Sequence, residues 1–232
     1  MKILAIDSSG LVASVAVVEE DNLLAEYTVN YKKTHSQTLM MMLDEIVKML
    51  ELDLSTIDAI AVAGGPGSFT GLRIGSATAK GLGLSLGKPI ISVPTVDGLA
   101  YNLAGASGLV CPIMDARRNQ VYTGIFKCEE EILETILPTC AIPVSELVQK
   151  INELGNEVIF IGDGIPVFKD SLDDTLAVKH FYAKQHLGRQ KAGSIGAVAW
   201  DKYKKGEIEN ANYFAPDYLR LSQAERERLE RA

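Results

Sequence analysis

Ile3-Leu4-Ala5-Ile6-Asp7-Ser8-Ser9-Gly10, with a second apolar run starting at Val12, is the stretch on which the fold turns, because the chain repeats it. Ile113-Met114-Asp115 again ends a strand-like run on an aspartate, and after a turn an apolar run resumes at Val121. Working outward from the first copy, residues 2–6 read as a buried strand, 13–18 as a valine-rich strand and 23–29 as a weakly alternating one. A helix follows over 36–50, with Thr34 or Ser36 available to cap it. Residues 57–63 form another buried-strand pattern, 70–86 a helix, and 90–93 a strand behind Gly87 and Pro89. Around the second copy, 109–114, 121–126 and 132–137 are strand-like. Residues 144–154 are helical with Ser145 as a cap, 158–161 a strand and 194–204 a helix. Each half therefore spells βββαβα. Tandem units of this kind predict an α/β fold of two similar lobes facing each other across a cleft. The lobes are expected at 1–100 and 101–220, joined near 94–108, where a helix over 96–103 runs into Gly105-Ala106-Ser107-Gly108. Residues 221–232, alternating Glu and Arg, are expected to form a helix or tail.

Composition narrows the function classes. The 232 residues are 47% hydrophobic and 23% charged, which suits a packed globular chain and excludes disordered or collagen-like ones. The formal charge of −7 disfavours autonomous binding to a phosphate backbone unless cations are locally segregated. Cys111, Cys128 and Cys140 are odd in number and form no CxxC pair, as expected of idle thiols in a reducing compartment. The apolar runs are strand-length, and a carboxylate arrives at Asp7, so a cytoplasmic chain without a membrane span is expected.

Four features bear on chemistry. Asp7-Ser8-Ser9-Gly10 is a carboxylate followed by small residues, a pattern that suits either a phosphate or cation contact or a purely local turn. Gly64-Gly65-Pro66-Gly67-Ser68-Phe69-Thr70-Gly71-Leu72-Arg73 joins a buried strand to a helix start, where anions are favoured. It lacks the Gly-Lys-Ser/Thr ending of a P-loop, and a tight turn is the plain alternative. Behind it Gly71, Gly75, Ala79 and Gly83 recur every four residues. A mid-helix glycine costs roughly 0.5–1 kcal/mol against alanine, so this face calls for a close helix contact. Finally, Leu39, Met40, Met42, Leu43, Ile46, Val47, Met49 and Leu50 spread over about half of their helix, wider than the roughly 100° stripe of a one-sided helix. Either the helix is deeply buried or part of the face, adaptable through its methionines, meets a partner. The interface expected from these patterns comprises Leu39, Met42, Ile46, Gly71, Arg73, Gly75, Ala79 and Gly83.

The second turn, Asp115-Ala116-Arg117-Arg118-Asn119, has no glycine. Arg117 and Arg118 fill it, to pair with Asp115 and nearby acids or to hold an anion. His35, His180 and His186 make no HxxxH or HExxH pair, so no metal site is expected. Ser8, Ser9 and Ser68 lack a recognisable base and Gly-x-Ser-x-Gly is missing, which leaves nucleophilic hydrolysis and peptidase activity unsupported.

Taken together, the 3–9 and 64–75 stretches, Ala79-Lys80-Gly81-Leu82, Gly87-Lys88-Pro89, Met114-Asp115-Ala116-Arg117-Arg118 and Pro216-Asp217-Tyr218-Leu219-Arg220 resemble the bacterial TsaB (YeaZ) family over nearly the whole chain. The resemblance implies an actin/hexokinase-like (ribonuclease H-like) two-lobed fold. It also implies a role in making threonylcarbamoyladenosine beside the tRNA anticodon, in complex with TsaD and TsaE. The catalytic relative TsaD carries a metal-binding HxxxH after the equivalent of Gly87-Lys88-Pro89. Here Thr95 and Leu99 stand at those positions, and neither replaces an imidazole ligand.

The expectation is a non-catalytic partner of TsaD without cofactor or metal, which meets tRNA only through the complex. A second copy of the chain is the other candidate occupant of the interface. The runner-up is an active nucleotide-dependent ATPase or phosphotransferase of the same superfamily, with Asp7 holding a cation and Ser8 and Ser9 beside it.

Overall fold

Two five-stranded sheets built on one plan make up the computed structural model, which describes residues 1–20, 22–31, 34–129 and 132–219. The first sheet contains β1 (Lys2–Asp7), β2 (Ala13–Glu19), β3 (Asn22–Val29), β4 (Ala59–Gly65) and β5 (Ile90–Pro94), in the order β3-β2-β1-β4-β5. The second contains β6 (Leu109–Asp115), β7 (Gln120–Glu129), β8 (Ile132–Pro143), β9 (Val158–Ile161) and β10 (His180–Tyr182), in the order β10-β9-β6-β7-β8. Read from the other edge, that is the same order. In both sheets the first two pairings are antiparallel and the return strand, β4 or β9, is parallel to the first. The matching aspartates end equivalent strands, Asp7 opposite Ser14 and Asp115 opposite Val121. The structure thus has the actin/hexokinase-like α/β fold expected.

β1 and β4 are apolar on both faces because both faces are covered. Alternation then sorts their side chains. Leu4, Ile6, Ile60 and Val62 pack under α1 (His35–Met49) and α2 (Phe69–Leu86). Ile3, Ala5, Ala59, Ala61 and Ala63 pack on the other side against Ala192, Ile195 and Ala199. Those last three belong to α6 (Ala192–Lys204), so the last helix covers the first sheet, where Gly196 lies flush on Val18. The sequence had α6 closing the second unit, and that expectation is corrected. The place is taken by α5 (Ile165–Thr175), which, like β10, is not expected from the sequence pattern. The other helices are α3 (Thr95–Tyr101), expected at 96–103, and α4 (Val144–Leu154), as expected.

Caps differ in detail. Thr34 occupies the N-cap of α1 without a side-chain bond, and Ser36 lies inside the helix. Ser145 also lies inside its helix, behind Pro143 at the N-cap. Ser68 does cap α2, accepting from the Gly71 N–H at 3.3 Å.

Beyond α6 the chain returns across the first lobe. Ile90 and Glu209 exchange backbone hydrogen bonds, and Ala211 and Phe214 enter the core. Lys80 donates to the carbonyls of Asn212 and Phe214, and Asp217 N–H donates to the Gly64 carbonyl at 2.7 Å. The residues expected as a C-terminal tail, 221–232, lie outside the described residues.

Candidate functional site

Between the lobes lies a cleft of about 1110 Å3, lined by the β1–β2 turn, the start of α2, the β6–β7 turn, Asp163, Arg189 and Tyr218. Asp7, with only 1% of its surface exposed, lies behind Ser9, which lines the cleft. One carboxylate oxygen accepts from the Ser9 N–H at 2.9 Å and the Ser9 hydroxyl at 2.6 Å. Burial pushes this carboxyl up to about 6, against the opposing pull of the Ser9 hydrogen bonds and of His35.

The small residues of the first turn and of the glycine-rich loop pack against one another. Ser8 donates to the Gly71 carbonyl at 2.8 Å, and Ser68 N–H donates to the Ser9 carbonyl at 2.6 Å. A Cβ on Gly67 would fall 2.4 Å from the Ser9 carbonyl oxygen. The glycines therefore serve backbone-to-backbone approach, which is the tight-turn alternative. Gly65 adds a φ of 125° and would drive a Cβ into the Asp217 carbonyl.

The second turn closes on itself. One Asp115 oxygen accepts from the Arg117 N–H at 2.8 Å, and the other lies 3.1 Å from the Arg117 guanidinium. Arg117, Arg118 and Asn119 all sit in the left-handed region, which non-glycine residues adopt rarely. This is the pairing outcome for Arg117. Thr95 and Leu99, at the positions compared with the TsaD histidines, are both buried; Leu99 packs among Val96, Ala100 and Met114. Among the described residues no three His, Cys, Asp or Glu side chains converge as a metal-holding group, and no helix is long and apolar enough to cross a membrane.

The expected interface needs correction. Gly71, Gly75, Ala79 and Gly83 face inward, because α2 uses its small side to approach the sheet and the β1–β2 turn. A Cβ on Gly75 would lie 2.5 Å from Ser8 Oγ, Ala79 is fully buried, and Gly83 abuts Ala211. Leu39, Met42 and Ile46 are likewise core residues, on the buried face of α1. Of the expected set Arg73 alone is exposed, its guanidinium 4.1 Å above the Phe69 ring, which in turn packs on Tyr218.

The outward side of α2 carries a different small-residue stripe, Thr70, Ala77 and Gly81, with Leu84 beyond it. Nothing stands within 4 Å of a Cβ built on Gly81. On α1, which packs on the same sheet face, Met40 and Met41 are exposed. Sequence spacing shows that small residues recur on α2 but not which of the two stripes faces the sheet. Asp163 and Arg189 carry no motif, and the 216–220 stretch with Tyr218 enters the family resemblance without pointing to a place at the cleft.

Comparison with known proteins agrees with this architecture. A family model described as TsaD: tRNA N6-adenosine threonylcarbamoyltransferase matches residues 22–228. The chain is 35% identical over 230 residues to tRNA threonylcarbamoyladenosine biosynthesis protein TsaB of Bacillus subtilis, covering 99% of each chain. A Pseudomonas aeruginosa structure, described as an uncharacterized protein with similarity to peptidase YEAZ, superposes with a TM-score of 0.78. It is 25% identical, with 94% of this chain and 99% of that one covered. The inorganic polyphosphate/ATP-glucomannokinase of an Arthrobacter strain shares the fold alone, with a TM-score of 0.52 at 11% identity over 87% of this chain and 99% of that one.

Proposed function

The chain belongs to the TsaB (YeaZ) family and so has a role in tRNA threonylcarbamoyladenosine biosynthesis, and from that premise we propose that it is a non-catalytic partner, binding and activating TsaD together with TsaE. In this reading the modified adenosine lies beside the anticodon, and tRNA reaches the chain through the assembled complex in the cytoplasm.

The observation that carries the non-catalytic reading is the self-satisfied second turn. Asp115 has both oxygens engaged by Arg117, and its arginine-filled loop offers no glycine path for backbone amides to approach a phosphate. Asp7 supports it from the other lobe. Its burial and its two bonds from Ser9 leave it a structural carboxyl rather than an open cation ligand. Docking is assigned to the outward side of α2 at Ala77 and Gly81, flanked by Arg73, Leu84 and the exposed Met40 and Met41 of α1. Small residues there allow a partner helix to approach closely, and the methionines adapt to its surface. Without TsaD, a second copy is the expected occupant of the same face.

The fold shared with a kinase keeps one rival alive: a nucleotide-dependent phosphotransferase using Asp7. Reconstituting tRNA modification from TsaD, TsaE and this chain separates the two. Modification that needs the chain yet proceeds undiminished with Asp7→Asn is the expected result, since the amide oxygen of the substituted side chain can still accept from Ser9. Loss of modification by a folded Asp7→Asn chain that still binds TsaD favours the rival. Full modification without the chain contradicts both.

A further inference from the structure

Thirty of the 232 residues are acidic, yet none falls between residues 175 and 200. That stretch carries Lys179, Lys184, Arg189 and Lys191 with two histidines, a local cationic segment in a chain of net charge −7. Lys179 is engaged by Glu157 at 3.3 Å. Among the described residues, Lys184, Arg189 and Lys191 have no carboxylate within ion-pair distance.

The turn bearing these cations is fixed in place. Leu187 and Gly188 N–H groups both donate to the Lys184 carbonyl, and Ala183 N–H is tied to the Phe160 carbonyl. Asn102 reaches across from the end of α3 to donate to the Leu187 and Arg189 carbonyls at 2.9 and 2.7 Å, and Ser194 donates to Asn102 in turn. Little ordering is left for a partner to impose. Arg189 then lines the interlobe cleft together with Arg117, whose side chain is 84% exposed. The Arg117 guanidinium gives Asp115 one contact at 3.1 Å, and its five N–H donors allow it to reach a second anion while keeping that pair. Burial pushes the carboxyl of Asp163, which faces Arg189, up from its ordinary range, against the opposing pull of that guanidinium.

We propose that Arg189 and Arg117, which line the cleft from two turns, together with the exposed Lys184 on the turn that bears Arg189, are a contact for the phosphate backbone of RNA. The class of partner follows from the geometry. Separate cations on two rigid turns across a concavity match spaced phosphates on a curved strand. Phe181, 43% exposed, carries the Lys179 ammonium over its ring, an aromatic–cation pair of the kind that meets bases and phosphates together. A flat anionic membrane would leave the recessed Arg189 out of reach. That the RNA is a tRNA rests on the modification role proposed above; the contact itself does not.

The test titrates an unmodified tRNA transcript with the chain assembled on TsaD, following anisotropy as salt rises, with assembly checked by ultracentrifugation. Three phosphate contacts predict that the share of the affinity from these cations falls about twenty- to fortyfold between 50 and 200 mM salt. Lys184→Glu, and Lys184→Ala with Arg117→Ala, are expected to weaken binding and flatten the salt slope by about one unit per contact while assembly persists. Two exposed sites keep the fold intact, which circular dichroism verifies. Wild-type affinity and slope in both variants would overturn the proposal. So would binding to phosphatidylserine vesicles that matches and competes with the RNA. Should the chain fail to assemble with TsaD, the proposed function fails by itself. Titration of the isolated chain in low salt then still reads the contact, upholding it if RNA binding is lost in the variants and refuting it if it is not.

Discussion

Ser8 donates its hydroxyl to the Gly71 carbonyl at 2.8 Å, and its own carbonyl oxygen stands 2.1 Å from where a Cβ on Gly71 would be. This contact binds the turn after β1 to the first turn of α2. It gives the four-residue glycine spacing an internal purpose, since a helix can come this near to a backbone only where it has no side chain.

Gly75→Leu is therefore expected to damage the monomer itself. Its Cβ would begin 2.5 Å from Ser8 Oγ, with Val62 behind it. Overpacking of this kind costs about 3 kcal/mol, more than the roughly 1 kcal/mol of helix propensity gained. Urea denaturation should show a clearly lowered midpoint. A variant as stable as wild type would mean that α2 sits farther from the turn.

Asp7 makes stability depend on pH. Its carboxyl is raised from 3.8 to about 6 in the folded chain, so the native state holds the proton more tightly than the unfolded one. The associated stability is fully present below about pH 4 and is lost as pH rises through 6, on the order of 3 kcal/mol in all. Asp7→Asn should then equal wild type near pH 4 and exceed it above pH 7 by up to that amount. Paired denaturant titrations at the two pH values measure the difference. An Asn variant that is less stable above pH 7 would show that the charged carboxylate is the favoured form.

Phe214 tests whether the segment after α6 is part of the first lobe. It is 1% exposed in the same cluster as Leu39, Ile46 and Ile60. Phe214→Ala should cost about 3–5 kcal/mol, as emptied aromatic sites usually do. Calorimetry showing an unchanged melting temperature would place the segment outside the core.

The sheets were legible because buried strands leave unbroken apolar runs: β1, β4 and β9 lie within two residues of where the sequence put them. α4 was plain from its regular stripe of Val144, Leu147, Val148 and Ile151. α5 was missed because it buries only Phe168 and Leu172 and starts at a proline-containing turn, so its periodic signal is faint. The destination of α6 was invisible, since an alanine- and glycine-rich face fits either lobe's sheet and only tertiary packing chooses. At the site, Asp7 announced itself as a carboxylate ending a strand. The inward direction of the Gly75 stripe did not, because the outward Ala77 and Gly81 are just as small. The cationic turn at Lys184 had a signal, the acid-free run from 175 to 200, but one that charge totals over the whole chain conceal.

Docking of TsaD on the outward side of α2 is read by sedimentation of Gly81→Leu with TsaD. Open space surrounds that position, and leucine improves helix propensity by about 1 kcal/mol, so the monomer should fold at least as well as wild type. The expected result is a folded variant that no longer sediments with TsaD where wild type does. A folded Gly81→Leu that binds TsaD with wild-type affinity would contradict it.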